Sequence, residues 1–325
     1  MSAANLAKRT LGKTGIEVTE VGLGLWAAGG HWGPTDDEAS MSGIDAALDA
    51  GVNFFDTADV YGDGHSEELL GRAMKGRRDK FVVATKLGWM NYDGENDCSA
   101  YTTVEKLIEG VESNLRRLNT DYLDVIQNHI FYQEPNTGIF IEGFLKLQEQ
   151  GKVRAWGAST SDFDFLRGFN ANGKCATLQI DYSILNRTAE KEIFPYCQEN
   201  NIGVIVRGGL AMGILTGKFN ADSTFPEGDF RRDWQENPEQ RTQFLEDLSQ
   251  AEQLGEVAKN RTQAQTALGF ILSNPAVGVV IPGGRSAYQV NENVKAGLLG
   301  KLSGDELAAI DAIVPPGGGR KIWPA

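Results

Sequence analysis

Apolar and polar positions follow one another along this chain in two repeating patterns. Short runs of β-branched and other apolar residues predict strands, and FVVATK at residues 81–86 is the clearest of them. Between these runs, apolar residues recur every three or four positions, most clearly over residues 102–118, which predicts amphipathic helices. Runs without polar alternation are typical of strands that are buried on both faces, as in a parallel sheet covered by helices.

The two patterns alternate eight times. Strands are predicted at residues 21–25, 53–56, 81–86, 123–129, 153–159, 177–182, 203–207 and 277–281. Helices are predicted from about residue 35, from about 66 to 76, and at residues 102–118, 139–150, 164–169, 190–200, 244–259, 263–273 and 288–296. This alternation predicts an α/β fold with a single (β/α)8 (TIM) barrel domain over residues 1–325. An N-terminal β-hairpin over residues 9–18 and extra C-terminal helices complete the prediction.

A long polar segment, residues 217–240, follows the seventh predicted strand and contains both proline and glycine. We predict a loop there, on the face of the barrel where active sites lie. A loop of this length is more often functional than idle. With Lys218 and the sequence FRRDW, it is either a strap that closes over the phosphates of a ligand or a plain solvated loop.

The chain of 325 residues carries a formal net charge of −13. Binding to nucleic acid or to an anionic membrane needs a basic face, so we expect neither partner and expect a small molecule instead. An oligomer is possible. No signal peptide and no membrane span is predicted, which favours a cytoplasmic protein. Cys98, Cys175 and Cys197 lack the spacing of a metal site or a disulfide framework and are expected to be reduced thiols.

Four polar side chains lie at the ends of predicted strands or just beyond. Asp56, Lys86 and His129 each end a strand, and Tyr61 lies in the loop that follows Asp56. Because the carboxyl ends of barrel strands share one mouth, we expect these four side chains to converge there. An ammonium favours a nearby phenolate, so Lys86 is predicted to lower the pKa of Tyr61 from about 10 toward neutrality.

A phenol of that kind can donate a proton at physiological pH, while His129 orients a carbonyl oxygen beside it. Simpler interpretations exist for each residue: a structural ion pair for Asp56 and Lys86, a loop aromatic for Tyr61 and a core histidine for His129. Four titratable groups at one mouth cost stability, which favours a shared function over separate structural roles.

Lys86 also permits a rival chemistry, in which its amine forms a Schiff base with a ketone. A Schiff-base lysine is neutral and lies in an apolar pocket without a carboxylate partner. The expected neighbour Asp56 argues against a Schiff-base lyase without excluding one.

Seven segments of the chain resemble, in order and spacing, those of the aldo-keto reductases, (β/α)8-barrel enzymes that reduce aldehydes and ketones with NADPH. They are DTADVYG, VVATKLG, DYLDVIQNH, GKVRAWGAS, LQIDYS, GILTGKF and IPGGRSAYQVNEN. The resemblance covers nearly the whole chain and implies an NADP-dependent oxidoreductase that needs no metal. It further implies a catalytic tetrad: Tyr61 as general acid, Lys86 as the partner that lowers its pKa, Asp56 as the partner of Lys86, and His129 as the orienting donor.

A coenzyme site is predicted after the eighth strand. Two glycines there allow close backbone approach, the following helix N-terminus favours an anion, and Arg285 can hold a phosphate, although an ordinary turn has the same features. By resemblance, the 2′-phosphate and adenine of NADPH are bound by Gly283, Arg285, Gln289, Glu292 and Asn293. Arg285 would then select NADPH over NADH.

The resemblance also assigns the nicotinamide end. Ser159 and Gln179 correspond to contacts with the nicotinamide amide, and Leu210 and Lys218 to further cofactor contacts. Thr160 replaces the usual Asn. Arg207 replaces a Tyr that often stacks on the nicotinamide, and Gly208–Gly209 replaces a common Ser-Pro. A guanidinium is planar, so we expect Arg207 to lie against the nicotinamide ring or the pyrophosphate.

Trp26 and Trp89 follow strand ends and are predicted to wall the substrate pocket. The leading hypothesis is reduction of a sugar aldehyde or a small xenobiotic aldehyde. The alternative from the resemblance is a non-catalytic, NADPH-sensing channel subunit. Arg207, Arg231 and Arg232 would suit an acidic substrate if they reach the pocket.

Overall fold

The computed structural model describes residues 6–30, 35–88, 101–129 and 137–322. Its strands are β1 Lys8–Thr10, β2 Glu17–Thr19, β3 Leu23–Gly24, β4 Phe54–Asp56, β5 Val82–Leu87, β6 Leu123–His129, β7 Val153–Ser159, β8 Thr177–Asp181, β9 Gly203–Arg207 and β10 Val277–Val280. The first two strands pair antiparallel as a hairpin, and the other eight form one parallel sheet in chain order from β3 to β10.

The helices lie between and after the strands. They are α1 Asp37–Asp49, α2 His65–Met74, α3 Val104–Arg117, α4 Thr137–Glu149, α5 Phe163–Phe169, α6 Ile193–Glu199, α7 Asp233–Glu236, α8 Pro238–Leu254, α9 Gln263–Ser273, α10 Ala287–Leu299 and α11 Gly304–Ile313. Each predicted strand and helix has a counterpart, and the largest shift is that of the helix predicted at residues 244–259, which is α8. In the part of the chain described, none of these helices is both long and apolar enough to cross a membrane.

The two ends of the parallel sheet meet and close it into a barrel. The backbone N–H of Gly22 donates to Val280 O at 2.8 Å, and that of Gly24 donates to Pro282 O at 3.2 Å. Parallel bridges join Val21 to Val280 and Gly24 to Gly283. The predicted (β/α)8 barrel is therefore confirmed.

The barrel interior changes from apolar to polar along the strands. At one end, Phe54, Val125 and Ile205 pack with Leu11 and Val18 of the N-terminal hairpin segment. The hairpin thus closes that end of the barrel. Side chains two residues apart on a strand share a face, so Asp56 follows Phe54 into the interior and Lys86 follows Ala84. The polar layer at the carboxyl ends forms the floor of the candidate site.

The prediction of a loop over residues 217–240 is wrong for the second half of that segment. A 3-10 turn covers Phe230–Arg232, α7 follows it, and α8 begins at Pro238 rather than at residue 244. Asn237 caps α8, since its side-chain oxygen accepts from the backbone N–H of Glu239 and Gln240 at 3.0 and 3.2 Å. An N-cap Asn before a Pro at the first helical position is a strong start signal, and it overrides the polar composition.

Candidate active site

Lys86 lies at the centre of a buried network at the barrel mouth. Its Nζ donates to Asp56 Oδ1 at 2.6 Å, to the backbone carbonyl of Thr57 at 2.8 Å and to the Tyr61 hydroxyl at 3.1 Å. The Lys86 side chain is fully buried, and so is nearly all of the Asp56 side chain. All three ammonium protons are therefore used within the protein.

Asp56 is held from across the barrel as well. Its second oxygen, Oδ2, accepts from Gln179 Nε2 of β8 at 2.7 Å. Gln179 was predicted as a contact to a nicotinamide amide, and the structure gives its NH2 group this second role. A carboxamide carries two donor hydrogens and an acceptor oxygen, so the bond to Asp56 does not preclude a ligand contact.

Tyr61 and His129 form the open side of the network. Their ring centroids are 6.1 Å apart with planes at 84°, and each residue is 8 % exposed. Tyr61 is held in place by a turn in which its backbone N–H donates to Ala58 O at 3.2 Å. Asp56, Tyr61, Lys86 and His129 therefore converge at the barrel mouth, as expected from their positions at the strand ends.

The expected direction of the Tyr61 pKa is wrong for this structure. Burial raises the pKa of Tyr61 well above its usual value, the Asp56 carboxylate adds to that effect, and the positive charge of Arg207 opposes it. The sequence indicated the nearby ammonium but not the depth of burial, and desolvation of the phenolate is the largest effect on this pKa. Tyr61 is accordingly a protonated donor.

Burial disfavours the charged form of each of the other three groups. It raises the pKa of Asp56 and lowers that of Lys86, and each partner's charge opposes the shift of the other. Burial, followed by the charges of Lys86 and Arg207, lowers the pKa of His129 well below its usual value. His129 is therefore a neutral imidazole.

The geometry of Lys86 argues against Schiff-base chemistry. An attacking amine needs a lone pair and access to the ligand. Lys86 Nζ is fully buried, and its three hydrogen bonds hold it as an ammonium beneath Asp56 and Tyr61.

A cavity of about 770 Å³ opens above the network. Its lining contains Asp56, Tyr61 and His129, together with Trp26 and every predicted cofactor residue: Ser159, Gln179, Arg207, Leu210, Lys218, Gly283, Arg285, Gln289, Glu292 and Asn293. Trp89, the other predicted pocket wall, lies outside the described residues. Thr160 is absent from the described lining, and its hydroxyl accepts from the Asp162 backbone N–H at 3.0 Å instead.

Three cations gather at the end of the cavity away from the tetrad. Partial burial and the charges of Arg231 and Arg285 lower the pKa of Lys218, and partial burial and the charge of Arg231 lower the pKa of Arg285. The cations lower one another's pKa because their positive charges repel. An anionic ligand would relieve that repulsion.

Arg231 is held in place by an ion pair with Asp229. Its guanidinium makes two bonds to Asp229, from Nε to Oδ1 at 2.9 Å and from Nη2 to Oδ2 at 2.6 Å, and a third to Met212 O at 3.2 Å. Arg232, by contrast, pairs with Glu236 and does not line the described cavity. Of the three arginines considered for an acidic substrate, the cavity contains Arg207 and Arg231.

The segment that carries Arg231 also contacts a residue that follows β3. The ring of Phe230 stacks on Trp26, with centroids 5.8 Å apart and planes at 21°. Trp26 in turn lies 6.3 Å from Tyr61, ring to ring. The segment that follows β9 thus contacts the segment that follows β3.

The backbone just after β10, the eighth strand of the barrel, leaves room for a ligand. A Cβ built on Gly283 would meet only the Gly24 carbonyl oxygen, at 3.9 Å, and would otherwise point into open space. Asn293 Nδ2 donates to Gly283 O at 3.1 Å, and the backbone N–H of Arg285 donates to Gln289 Oε1 at 2.8 Å. Glu292 is partly committed within the protein, since it accepts from Lys295 and from Gln265.

The lining residues that the sequence interpretation missed include Asp181, Tyr288 and Ile322. Asp181 ends β8, and Tyr288 lies inside the motif IPGGRSAYQVNEN. The sequence position of each could therefore have indicated that it lies at the site. The position of Ile322 gives no such indication, because it reaches the cavity only through the fold of the C-terminal tail. There its backbone N–H donates to Asp181 Oδ2 at 3.3 Å.

Metal ligation has no support in the described ranges, where no group of three or more His, Cys, Asp or Glu side chains is arranged to hold an ion. Cys175 and Cys197 are buried free thiols whose pKa burial raises to about 12, which makes them poor ligands and nucleophiles.

Another acidic group, Asp59, lies on the loop that joins β4 to α2 and carries Tyr61. Asp59 is half-buried and accepts from the Val60 backbone N–H at 2.8 Å. Burial and the nearby carboxylate of Glu67 raise the pKa of Asp59 to about 8. Glu67 itself is fully buried and accepts from Thr85, Asn114 and Arg117 at 2.6, 2.8 and 2.6 Å.

Comparison with known proteins agrees with this geometry. A sequence model of the Aldo/keto reductase family matches residues 20–315. Aldo-keto reductase YhdN from Bacillus subtilis is 37% identical over 292 residues, which are 86% of each chain. The glycerol dehydrogenase AKR11B4 from Gluconobacter oxydans superposes with a TM-score of 0.78 at 33% identity, covering 97% of both chains. An aldo-keto reductase from Klebsiella pneumoniae in complex with NADPH gives a TM-score of 0.73 at 27% identity, covering 96% of both.

The carboxyl of Asp59 should make the stability of the protein depend on pH. An unfolded Asp loses its proton near pH 4 and the folded one near pH 8, so between these values the folded state holds the extra proton. The free energy of unfolding therefore falls as the pH rises through this window. Asp59→Asn removes this effect, and the variant should gain stability over the wild type progressively from pH 5 to pH 9 in urea unfolding.

Asp63→Asn is the matched control, because Asp63 is an exposed carboxylate on the same loop. It should follow the wild-type pH profile. A difference between Asp59→Asn and the wild type that stays constant from pH 5 to pH 9 would contradict the raised pKa.

Proposed function

The chain belongs to the aldo/keto reductase family, and we propose that Asp56, Tyr61, Lys86 and His129 are the catalytic groups with which it reduces a carbonyl compound. The protein is an NADP-dependent oxidoreductase. The observation that supports this tetrad most directly is the bond of Lys86 Nζ to both Asp56 and the Tyr61 hydroxyl. When bound, the reduced nicotinamide supplies a hydride to the carbonyl carbon.

Tyr61 donates the proton that the reduced carbonyl oxygen requires. Its raised pKa keeps the phenol protonated until negative charge develops on the oxygen of the substrate. After transfer, the phenolate accepts the hydrogen bond that Lys86 already directs at the Tyr61 oxygen. Solvent then returns a proton to Tyr61, and the network of Lys86 and Asp56 keeps its geometry throughout.

His129 positions the carbonyl. Its pKa is lowered by burial and by the charges of Lys86 and Arg207, so the imidazole is neutral and donates a hydrogen bond without competing as an acid. A carbonyl oxygen within hydrogen-bond reach of both His129 and Tyr61 has its carbon exposed toward the cavity. That placement orients the carbon for hydride attack.

NADPH is the coenzyme, and the cavity suits its charge distribution. The tetrad end is nearly neutral, because Lys86 and Asp56 compensate each other, while the far end carries Lys218, Arg231 and Arg285. We assign the phosphates to these cations and the 2′-phosphate to Arg285. The open space above Gly283 allows the coenzyme to approach the backbone closely.

The segment from Gly217 to Arg232 acts as a strap over the coenzyme in this proposal. Within this segment Arg231 is paired with Asp229, and Phe230 stacks on Trp26 of the segment that follows β3. Retention of the coenzyme therefore depends on a contact that lies outside the phosphate site itself.

The substrate is a small aldehyde or ketone, and we propose a sugar aldehyde or a xenobiotic aldehyde on the strength of Trp26, whose ring can stack on a sugar face. A non-catalytic, NADPH-sensing subunit would not need Tyr61 held against Lys86. Turnover distinguishes the two functions.

Tyr61→Phe tests the proposed acid. The variant should keep its affinity for NADPH but lose about 10²- to 10⁴-fold in kcat with an aldehyde substrate, because the proton donor is removed. The measurement is NADPH oxidation at 340 nm against a panel of aldehydes, sugars and ketones. Tyr122→Phe, which alters a phenol next to Arg78 before β6, is the matched control and should retain wild-type activity. Wild-type protein that binds NADPH tightly but turns over nothing would instead support a sensing subunit.

Arg285→Ala tests coenzyme selection. Loss of a charged contact to the 2′-phosphate should raise the KM for NADPH by about 10- to 100-fold and leave the KM for NADH nearly unchanged. Steady-state kinetics with both coenzymes at one substrate concentration provide the measurement. Equal effects on the two coenzymes would show that Arg285 does not read the 2′-phosphate.

Phe230→Leu tests the strap. Loss of the ring stack with Trp26 should speed NADPH dissociation by about 2- to 10-fold, as expected for one aromatic pair. Stopped-flow displacement of NADPH gives the rate. Arg232→Ala changes the next position but one, at an exposed ion pair outside the cavity lining, and should leave the rate unchanged. An unchanged rate in Phe230→Leu would disprove the strap role.

A further inference from the structure

Tyr288 is a large aromatic side chain that lines the cavity and yet is left mostly in water. It is 74 % exposed, the highest value among the exposed large apolar side chains of the described residues. Tyr288 is the second residue of α10 and follows Arg285 by three positions. An aromatic ring that lines a cavity but is largely unburied within the protein can be covered by a ligand in that cavity.

Two other Trp and Tyr side chains in the described lining are engaged at the barrel mouth. Tyr61 accepts from Lys86 at 3.1 Å, and Trp26 stacks on Phe230 with centroids 5.8 Å apart. Tyr288 belongs to a different part of the cavity wall, the start of α10. It is thus the ring that lies in the same segment as the residue to which the 2′-phosphate is assigned.

Two carboxamides of α10 that line the cavity are committed within the protein. Gln289 Oε1 accepts from the backbone N–H of Arg285 at 2.8 Å, and Asn293 Nδ2 donates to Gly283 O at 3.1 Å. Each bond ties α10 to the glycine turn before it. If either atom instead bonded the edge of a base, the turn would lose that support.

The carboxylate of α10 in the cavity wall also has partners. Glu292 Oε2 accepts from Gln265 Nε2 of α9 at 3.2 Å, and its Oε1 pairs with Lys295. The start of α10 therefore presents a base with an open aromatic face and with polar groups that already have partners in the protein.

The Tyr288 ring stands on a fixed backbone. Ser286 caps α10, and its Oγ accepts from the backbone N–H of Gln289 at 3.4 Å. A tyrosine side chain has two χ angles, so ordering it against a ligand costs little conformational entropy. The ring is therefore suited to stacking without any movement of the helix.

We propose that Tyr288 binds the purine base of the coenzyme by stacking on its face, and that the edge of the base contributes little to affinity. The inference rests on the proposed function, which places the adenosine 2′-phosphate at Arg285. Stacking on an aromatic side chain tolerates different bases because every base has a π face. Selectivity at this end of the coenzyme is then for the 2′-phosphate and not for adenine itself.

The test compares three ligands by calorimetry on the full chain: NADPH, its hypoxanthine analogue deamino-NADPH, and adenosine 2′,5′-bisphosphate, which lacks the nicotinamide. Tyr288→Ala should raise the Kd for all three by a similar factor of about 5- to 150-fold, the range for loss of one base–aromatic stack. The wild-type protein should bind deamino-NADPH within about threefold of NADPH, because the two bases differ at the edge and share the face.

Two variants serve as controls. Tyr288→Phe keeps the ring and should bind all three ligands within about twofold of the wild type. Leu298→Ala shortens another exposed side chain of α10, outside the described lining, and should leave every Kd unchanged. Because Tyr288 is mostly exposed, Tyr288→Ala should keep the wild-type Tm and the wild-type kcat at saturating NADPH.

Three results would overturn the inference while leaving the reductase function in place. An unchanged Kd for NADPH in Tyr288→Ala would mean that the ring does not stack on the base. Weakening of NADPH without weakening of the bisphosphate would place the effect of Tyr288 away from the adenosine. A wild-type Kd for deamino-NADPH tenfold or more above that for NADPH would show that the edge is read. Failure of the wild-type protein to bind NADPH at all would remove the proposed function, and this inference with it.

Discussion

The buried ion pair of Lys86 and Asp56 is the interaction on which the site depends. Two charges taken out of water are costly, and the cost is recovered only when every donor and acceptor is paired. Here the ammonium has three acceptors, and the carboxylate has donors from β5 and, across the barrel, from β8. Closure of the barrel brings these strands together, so the fold and the charge pair require each other.

The pair also sets the electrostatics around it. Because Lys86 and Asp56 compensate each other, their two charges leave the tetrad end of the cavity nearly neutral. The opposite end holds Lys218, Arg231 and Arg285. A ligand with phosphates at one end and an uncharged ring at the other would match this charge distribution with its phosphates at the cations. Orientation is thus imposed by charge before any detailed contact is made.

A second polar network supports the first from behind. Glu67 is buried beneath the catalytic loop and accepts hydrogen bonds from β5 and from α3. Asn114, one of its donors, also donates to the backbone carbonyl of Lys86 at 3.2 Å. The strand that carries Lys86 is therefore fixed on both faces, which holds its Nζ in place beneath Tyr61. The helices outside the barrel contribute to the site through such bonds.

The sequence by itself determined the barrel, the strand ends that carry Asp56, Lys86 and His129, the loop position of Tyr61 and the glycine turn before Arg285. These follow from local periodicity and from the rule that strand ends of a parallel barrel share one mouth. Tertiary structure alone decided the rest: the raised pKa of Tyr61, the bond of Gln179 to Asp56, the stacking of Phe230 on Trp26 and the arrival of Ile322 in the cavity. Each of these depends on burial or on partners far apart in the chain, and desolvation and long-range contact leave no periodic signal in a sequence.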